Sequence, residues 1–234
     1  MFQAGTPVLT YHKLGLRPRG VRIKGLYLSD KLFAQQLAEL WAAGFTTPSL
    51  AELFPVRNTS QHHIALTFDD GYANVLRYGL RPLADNKYRA LQFLVVGCIG
   101  KTNQWDVSSG EAQEPLMDAT QIREWLAAGH EIGSHSLTHP FLTRLPRSQA
   151  REEISASKKI LEDLFGHPIQ YFCYPYGDWN NDICNLVMAA GYKAAFTTNP
   201  GVNTCDESLY TLKRFTARYP SRSLKAVWSR LRGQ

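Results

Sequence analysis

Cysteine is scarce in this sequence, and its cysteines do not have the spacing of a metal-binding or redox motif. Cys98, Cys173, Cys184 and Cys205 include no CxxC pair, which excludes a zinc knuckle or a thioredoxin-type site. The sequence also lacks any run of about 18 apolar residues, so we expect no transmembrane segment. Hydrophobic residues make up 44% of the 234 positions and charged residues 20%, and this balance excludes an intrinsically disordered chain.

Acidic residues are missing from both ends of the sequence. No carboxylate precedes Asp30 and none occurs from Lys213 onward, whereas the segment between them carries more carboxylates than cations; the net charge is +6. Basic ends can indicate nucleic-acid binding, but no recognition motif or aromatic platform accompanies them, so we expect no nucleic-acid partner. The first residues lack the basic and apolar regions of a secretory signal. We therefore expect a cytoplasmic protein, or an extracytoplasmic one if a leader precedes this sequence in the full protein.

Strand-like and helical patterns alternate along the chain. Short β-rich runs occur at 7–12, 63–68, 90–96, 131–135, 169–175, 194–198 and 209–215, and helical patterns at 30–43, 74–85, 121–128, 149–165 and 180–190. This alternation favours an α/β fold with parallel strands and helices outside them. Three helices are predicted to end in Ala-Ala-Gly, at Gly44, Gly129 and Gly191, where glycine satisfies the last carbonyls in a left-handed conformation.

The length suits one domain spanning residues 1–234. Its last part, at about 221–232, predicts a basic helix with Leu224, Val227, Trp228 and Leu231 on one stripe. We expect this helix to dock on the domain, with attachment to a membrane surface as the alternative.

Two adjacent carboxylates follow the second predicted strand. The apolar run 64–68 stops at Asp69-Asp70-Gly71-Tyr72, which would also suit an ordinary turn. In α/β barrels, however, active sites lie where strands end in the following loops. The position of the pair therefore favours a catalytic role.

Two histidines, His135 and His139, follow another predicted strand. Histidines four residues apart in a helical turn point the same way and can bind one ion at about 2.0 to 2.1 Å. One carboxylate of the Asp69-Asp70 pair is the natural third ligand, and such a set leaves positions open for water and substrate. If Asp70 binds the metal, Asp69 is free to take a proton from water that the ion has made more acidic.

Residues 67–71 (Thr-Phe-Asp-Asp-Gly) and 135–139 (His-Ser-Leu-Thr-His) resemble the first two motifs of NodB-like polysaccharide deacetylases, carbohydrate esterase family 4. The resemblance runs from about residue 7 to residue 215. It implies a distorted (β/α)7 barrel that removes N-acetyl groups from sugars with a divalent metal. It also implies Asp69 as the base and Asp70, His135 and His139 as the ligands, in agreement with the residues themselves.

The third family motif, Arg-x-Pro-Tyr, reads Cys173-Tyr174-Pro175-Tyr176 here, so the arginine that normally orients the base is missing. We expect Arg214, near the end of the last predicted strand, to replace it; a surface or ion-paired arginine is the alternative. The backbone N–H of Tyr176 resembles the family's hydrogen-bond donor to the oxyanion.

The family's C-terminal Leu-x-His motif, which supplies the general acid, is also absent, because no histidine follows His167. His12 closes the first predicted strand and can reach the same mouth of the barrel, and its ordinary pKa of about 6.5 suits proton donation near neutrality. Tyr11 and His12 form a Tyr-His pair that is similar to the one that carries the acid near the N-terminus of the biofilm poly-N-acetylglucosamine deacetylases, a branch with rearranged motifs. A structural histidine is the alternative.

The sequence thus predicts a hydrolase that removes N-acetyl groups from a glycan by metal-activated water. Zinc is the expected ion, and nickel, cobalt, manganese or iron also suit these ligands. Two alternatives remain: an amidohydrolase of related fold acting on a cyclic imide, ureide or formamido sugar, and a glycan-binding module without catalysis. Four aromatic residues are candidates for walls that stack on a sugar ring, with simple packing as the alternative: Tyr72, Trp105, Tyr174 and Trp179.

Overall fold

Strands and helices alternate in the computed structural model, which describes residues 5–55 and 62–217. The strands are Thr6–Tyr11 (β1), Lys13–Leu14 (β2), Tyr27–Leu28 (β3), Ala65–Phe68 (β4), Leu91–Leu94 (β5), Glu131–Ser134 (β6), Tyr171–Cys173 (β7), Ala194–Phe196 (β8), Val202–Asn203 (β9) and Phe215–Thr216 (β10). The helices are Asp30–Ala42 (α1), Leu50–Leu53 (α2), Ala73–Asp85 (α3), Ala119–Ala127 (α4), Arg147–Phe165 (α5) and Asn181–Ala189 (α6).

Seven parallel strands form one curled sheet in the spatial order β10, β1, β4, β5, β6, β7, β8. Residues 209–216 join its two edges. Leu212 donates to the carbonyl of Ala195 in β8 and accepts from the amide of Thr197 just after it, while Phe215 and Thr216 pair with β1. Strand β9 adds an antiparallel pair to the start of β1. The predicted distorted (β/α)7 barrel is confirmed.

The alternation of side chains along each strand divides the core in two. Inward-facing residues form one apolar cluster that includes Val8, Ala65, Phe93 and Phe196, and α2 contributes Leu50 and Leu53 to it. Residues of the opposite parity, such as Leu9, Leu66 and Phe172, pack against the surrounding helices in a larger cluster. The same alternation places Thr10, His12, Thr67 and Asp69 on the inner face. Strands β1 and β4, with the residues that follow them, therefore direct polar side chains into the barrel above the apolar cluster.

Helix α1 shows how the local sequence defines an element. Ser29 precedes it, and the Ser29 side chain accepts a hydrogen bond from the Leu32 amide, which satisfies one of the free donors of the first turn. Its buried residues include Phe33, Leu37 and Leu40, which lie on one face. After the helix, Gly44 adopts a φ of 77°, and Gly129 and Gly191 repeat this conformation after α4 and α6.

The structure departs from the predicted elements mainly at the shorter segments. Helix α2 and the pair β2–β3 were not expected, and the predicted strand 209–215 contributes only Phe215 to the regular strand β10. The predicted basic helix at 221–232 lies outside the described residues. Within the described ranges, no helix combines the length and apolar character needed to cross a bilayer.

Candidate active site

The loops that follow β1, β4, β6 and β7 meet at one end of the curled sheet. Asp69 comes directly after β4 and continues its pairing with β1, since its amide donates to the Tyr11 carbonyl at 3.0 Å. His135 comes directly after β6, and its amide donates to the Leu94 carbonyl at 2.8 Å. The two sequence motifs therefore begin on the last rungs of regular strands, which fixes their relative positions.

Asp70, His135 and His139 form a buried group of three residues whose side chains can bind a metal. The Nε2 atoms of His135 and His139 lie 3.4 and 3.5 Å from Oδ1 of Asp70, and one ligand atom from each residue falls within 4.8 Å of the others. Nδ1 of His135 lies 2.8 Å from the Cys173 carbonyl; an N–H there leaves the Nε2 lone pair free to bind a metal.

The electrostatics of this group suit a cation. Burial alone would raise the pKa of Asp70, but a hydrogen bond from His135 and the nearby histidines outweigh burial and lower it. Burial lowers the pKa of His139 to about 3, so this imidazole is neutral, as a ligand must be. For His135, burial acts to lower the pKa, but Cys173 and the two aspartates raise it well above its usual range. Surroundings that hold a proton on His135 also favour a metal cation, and the donor set fits a divalent ion.

The loop that carries the two histidines is not the helical turn that the sequence analysis assumed. Ser136 and His139 both have positive φ, 65° and 64°, and no helix spans residues 135–139. Glu153 of α5 holds this loop, accepting hydrogen bonds from the Leu137 and Thr138 amides at 2.9 and 2.8 Å. The histidines converge because of these left-handed residues rather than because of helical periodicity.

Backbone strain is concentrated at this site. Five described residues other than glycine have positive φ, and four of them are here: Asp70, Ser136, His139 and Tyr176. Such conformations cost of order 1 to 3 kcal/mol each and persist only where the surroundings enforce them. Gly177 also has a positive φ of 70°, and a Cβ there would collide with Thr198. The packing of the barrel therefore holds the site in one geometry.

Asp69 lies outside the group of Asp70, His135 and His139 and forms a buried ion pair with Arg214. The guanidinium binds the carboxylate with both of its ends, at 2.7 Å to Oδ1 and 2.8 Å to Oδ2. Burial would raise the pKa of Asp69, but Arg214 overcomes it and the pKa is lowered. Nε2 of His12 lies 3.7 Å from Oδ2 of Asp69, and burial lowers the pKa of His12 although Asp69 and Asp70 oppose this.

Arg214 is itself fixed by neighbours from several strands. Its Nε donates to the Thr197 carbonyl at 2.8 Å, and its Nη1 donates to the hydroxyls of Thr10 and Thr67 at 2.9 and 3.2 Å. Nη2 contacts Cys173 Sγ at 3.1 Å. Cys173 occupies the position of the arginine in the family's third motif. Arg214 therefore contacts that position from a different part of the chain.

A cleft of about 220 Å³ opens over these groups, and we call it the active-site cleft. It is lined by His12, Ile23, Leu26, Asp69, Asp70, Trp105, Asp106, His135, His139, Tyr174, Tyr176 and Thr198. Trp105 stacks on the His139 ring with centroids 4.6 Å apart, and Tyr176 packs edge-on against the same ring at 4.4 Å. Of the four candidate aromatic walls, Trp105 and Tyr174 line the cleft, while Tyr72 lies in the core.

Sequence reasoning missed three groups in this region: Glu153, the threonines Thr10 and Thr67, and Asp106 of the cleft wall. Thr10 of β1 pairs directly with Thr67 of β4. The alternation of inward and outward residues along each strand could have predicted that both threonines point into the barrel. Glu153 and Asp106 lie outside any recognised motif, and only the folded chain brings them to the site.

Comparison with known proteins gives consistent matches. A model of the family described as "Polysaccharide deacetylase" matches residues 56–195. The chain is 26% identical over 215 residues to the putative polysaccharide deacetylase YxkH of Bacillus subtilis, covering 90% of this chain and 71% of that protein. It is 29% identical over 142 residues to a chitooligosaccharide deacetylase of Sinorhizobium fredii, covering 60% of this chain and 59% of that relative.

The fold is similar to that of a solved structure, IcaB from Ammonifex degensii. The TM-score is 0.81 at 24% sequence identity, and the match covers 96% of each chain. At this identity the likeness supports the architecture described above and leaves the chemistry to the residues of the site.

Proposed function

Because the chain belongs to the polysaccharide deacetylase family, whose members are hydrolases that act on amide bonds, we propose that it removes N-acetyl groups from an N-acetylated glycan with the help of a divalent metal. The observation that carries the proposal is the buried Asp70, His135 and His139 group beside a separate, arginine-paired Asp69. A site that only bound sugars would need no carboxylate of this kind next to a metal.

Asp70, His135 and His139 are the proposed metal ligands. Their support is the convergence of the two Nε2 atoms on one Asp70 oxygen and the low pKa of His139. These three residues would hold a divalent cation, which would supply Lewis acidity toward the acetyl carbonyl and the attacking water. Zinc is the proposed ion because two imidazoles and a carboxylate suit it.

Asp69 is the proposed general base, and Arg214 positions it. The bidentate ion pair fixes the plane of the carboxylate and lowers its pKa, so Asp69 is ionised and ready to accept a proton from water. A positioned base contributes typically 10² to 10⁴ in rate. We assign Arg214 the role that the family's third-motif arginine would otherwise have.

The remaining steps involve Tyr176 and His12. The Tyr176 N–H is the proposed donor to the oxyanion that develops on the acetyl oxygen, and its support is the family motif and its place in the cleft. His12 is the proposed acid for the departing amine. Because it is close to Asp69, it can receive the proton that Asp69 has taken from water and pass it to the leaving nitrogen.

The proposed substrate is a glycan that contains N-acetylglucosamine. This rests on the family and on the name of the Sinorhizobium fredii relative. Polymer length and linkage are left to the experiment, which compares chitin oligomers, poly-N-acetylglucosamine and peptidoglycan fragments.

The test measures acetate release from these three substrates with metal-replete protein, together with the metal content. Asp69→Asn should abolish turnover and leave the bound metal unchanged, because Asp69 is not a ligand. Asp85→Asn, an exposed carboxylate on α3, is the matched control and should behave as the wild type.

Two results would count against the proposal. Full activity in Asp69→Asn would remove Asp69 from the mechanism. Release of formate or of a ring-opened acid, with no acetate from any glycan, would favour the alternative amide substrates.

A further inference from the structure

Asp106 is a carboxylate in the wall of the active-site cleft that the proposed reaction does not use. It belongs to a 3-10 turn, Gln104–Ser109, and only 8% of its surface is exposed. Asn103 donates a hydrogen bond to Oδ2 at 2.9 Å. Within residues 5–55 and 62–217, no group donates to Oδ1. One oxygen of a largely buried carboxylate is thus without a protein partner beside the cleft.

The orientation of Asp106 is set by its own loop. The Asn103 side chain is buried, accepts from the Glu114 amide at 2.7 Å and donates to the Ala112 carbonyl at 3.2 Å, in addition to its bond to Asp106. Ser109 closes the turn by donating to the Asp106 carbonyl at 2.7 Å. The carboxylate is therefore held in place before any ligand arrives, and binding to it costs little ordering.

The arrangement is not explained by an internal ion pair. The buried cation in this region is Lys13, but its Nζ lies over the rings of Tyr27 and Tyr72, 4.9 and 4.5 Å from their centroids, with no hydrogen bond to a carboxylate. Burial raises the pKa of Asp106, which is the cost of keeping the group there. Buried carboxylates normally recover this cost through hydrogen bonds, and Oδ1, in the wall of the cleft, is the acceptor that is left for a ligand.

An ionised carboxylate can only accept hydrogen bonds, so its ligand must donate them. Trp105, the residue before Asp106, presents an aromatic ring to the same cleft, and aromatic faces suit the C–H surface of a sugar. We propose that Oδ1 of Asp106 accepts a hydrogen bond from a free ring hydroxyl of the same sugar whose acetamido group is hydrolysed. The inference rests on the proposed function.

This subsite would also select against acidic sugars. The cleft already contains Asp69 and Asp70, and Asp106 adds a carboxylate that no arginine or lysine among the described residues contacts directly. A sugar with a carboxylate-bearing ether in place of the hydroxyl would lose the hydrogen bond and meet like charge. The substrate class is therefore a neutral N-acetylhexosamine with its hydroxyls unsubstituted.

The test combines substitutions at Asp106 with substrates that lack single hydroxyl groups. Acetate release is measured for wild type, Asp106→Ala and Asp106→Asn on a trimer of N-acetylglucosamine and on trimers whose central sugar lacks one free hydroxyl at a time. Asp106→Ala should lower kcat/KM on the unmodified trimer about 10- to 100-fold, the range for a hydrogen bond to a charged group. On one deoxy trimer the two enzymes should be nearly equal, because the partner hydroxyl is already absent.

A second comparison tests the charge. Wild type should prefer the neutral trimer over one whose target sugar is N-acetylmuramic acid, and Asp106→Asn should narrow this preference. Asp163→Ala, an exposed position on α5, is the control and should leave both ratios unchanged. Thermal melting and metal content are measured for every variant, and Asp106→Asn keeps the side-chain shape if Asp106→Ala folds poorly.

The outcomes separate this inference from the proposed function. No acetate from any trimer with wild type would contradict the proposed function itself. Acetate release with equal losses by the Asp106 variants on all trimers would show a structural role and overturn the subsite alone, as would full activity of Asp106→Ala.

Discussion

Replacement of Arg214 by alanine removes the counter-ion of the proposed base and tests the central ion pair of the site. Arg214 is buried, and its guanidinium donates six hydrogen bonds, two of which go to Asp69. Removing one partner of a buried ion pair costs about 3 to 5 kcal/mol, because the other charge remains buried and unpaired. At about 2 to 4 °C per kcal/mol for a domain of this size, we expect a loss of about 6 to 20 °C in Tm.

The pH dependence of this loss has a definite sign. In the native protein the pKa of Asp69 is lowered, so its ion pair contributes stability above the unfolded pKa of about 4 and loses that contribution as pH falls through the folded pKa. Without Arg214, burial dominates and the pKa rises. Protonation then relieves the buried charge, so Arg214→Ala should lose more stability at pH 8 than near pH 5.

The activity of Arg214→Ala should also change with pH, because the pKa of Asp69 rises in this variant. The acidic limb of kcat/KM should move to higher pH, and at neutral pH we expect a loss of about 10² to 10⁴, the contribution of a positioned base. Arg214→Lys keeps the charge but cannot bind both oxygens at once, so it should fall between wild type and alanine.

A relocated arginine provides the complementary test. Cys173 Sγ lies 3.1 Å from Nη2 of Arg214, so an arginine at position 173 can enter the space that Arg214→Ala vacates. The double variant Cys173→Arg, Arg214→Ala should regain part of the activity and return the acidic limb toward its original pH. Unchanged activity, melting temperature and acidic limb in Arg214→Ala would refute the reasoning.

Two further predictions concern the metal and acid stability. Chelation, or His139→Ala, should remove the bound ion and the activity together, and added zinc should restore the chelated wild type but not the variant; metal analysis with acetate assays checks this, and full activity of metal-free protein would contradict it. Burial lowers the pKa of His130 to about 4, so the unfolded chain takes up a proton that the folded chain refuses, and stability should fall as pH drops from about 6.5 to about 4. His130→Gln should flatten that part of the curve in urea unfolding, and an unaltered curve would show that His130 does not contribute.

The sequence made the architecture predictable because the strand and helix periods alternate regularly. The strands that were located well are those with strong apolar runs, such as 63–68 before Asp69. The segment 209–216 was only partly predicted. Its role in joining β8 to β1 depends on single hydrogen bonds of Leu212 and on a two-residue pairing, and neither leaves a periodic pattern.

The site was predictable where the residue type itself limits the chemistry. Asp69, Asp70, His135 and His139 were selected as candidates from their types and from the family motifs, and the structure brings Asp70, His135 and His139 together. The helical turn assumed for the histidines was wrong, since periodicity cannot anticipate left-handed residues such as Ser136 that the tertiary structure imposes. The contacts of Asp106 depend on Asn103, a neighbour whose loop has no recognisable motif.

The pairing of Asp69 with a residue 145 positions later has a consequence for how the protein is made. During synthesis from the N-terminus, Asp69, Asp70, His135 and His139 are all translated before residue 214. A nascent or truncated chain that stops earlier can already contain every proposed metal ligand, yet Asp69, the proposed base, has no guanidinium to pair with in the interior. Metal uptake would therefore be a poor indicator of successful biosynthesis, and turnover a good one.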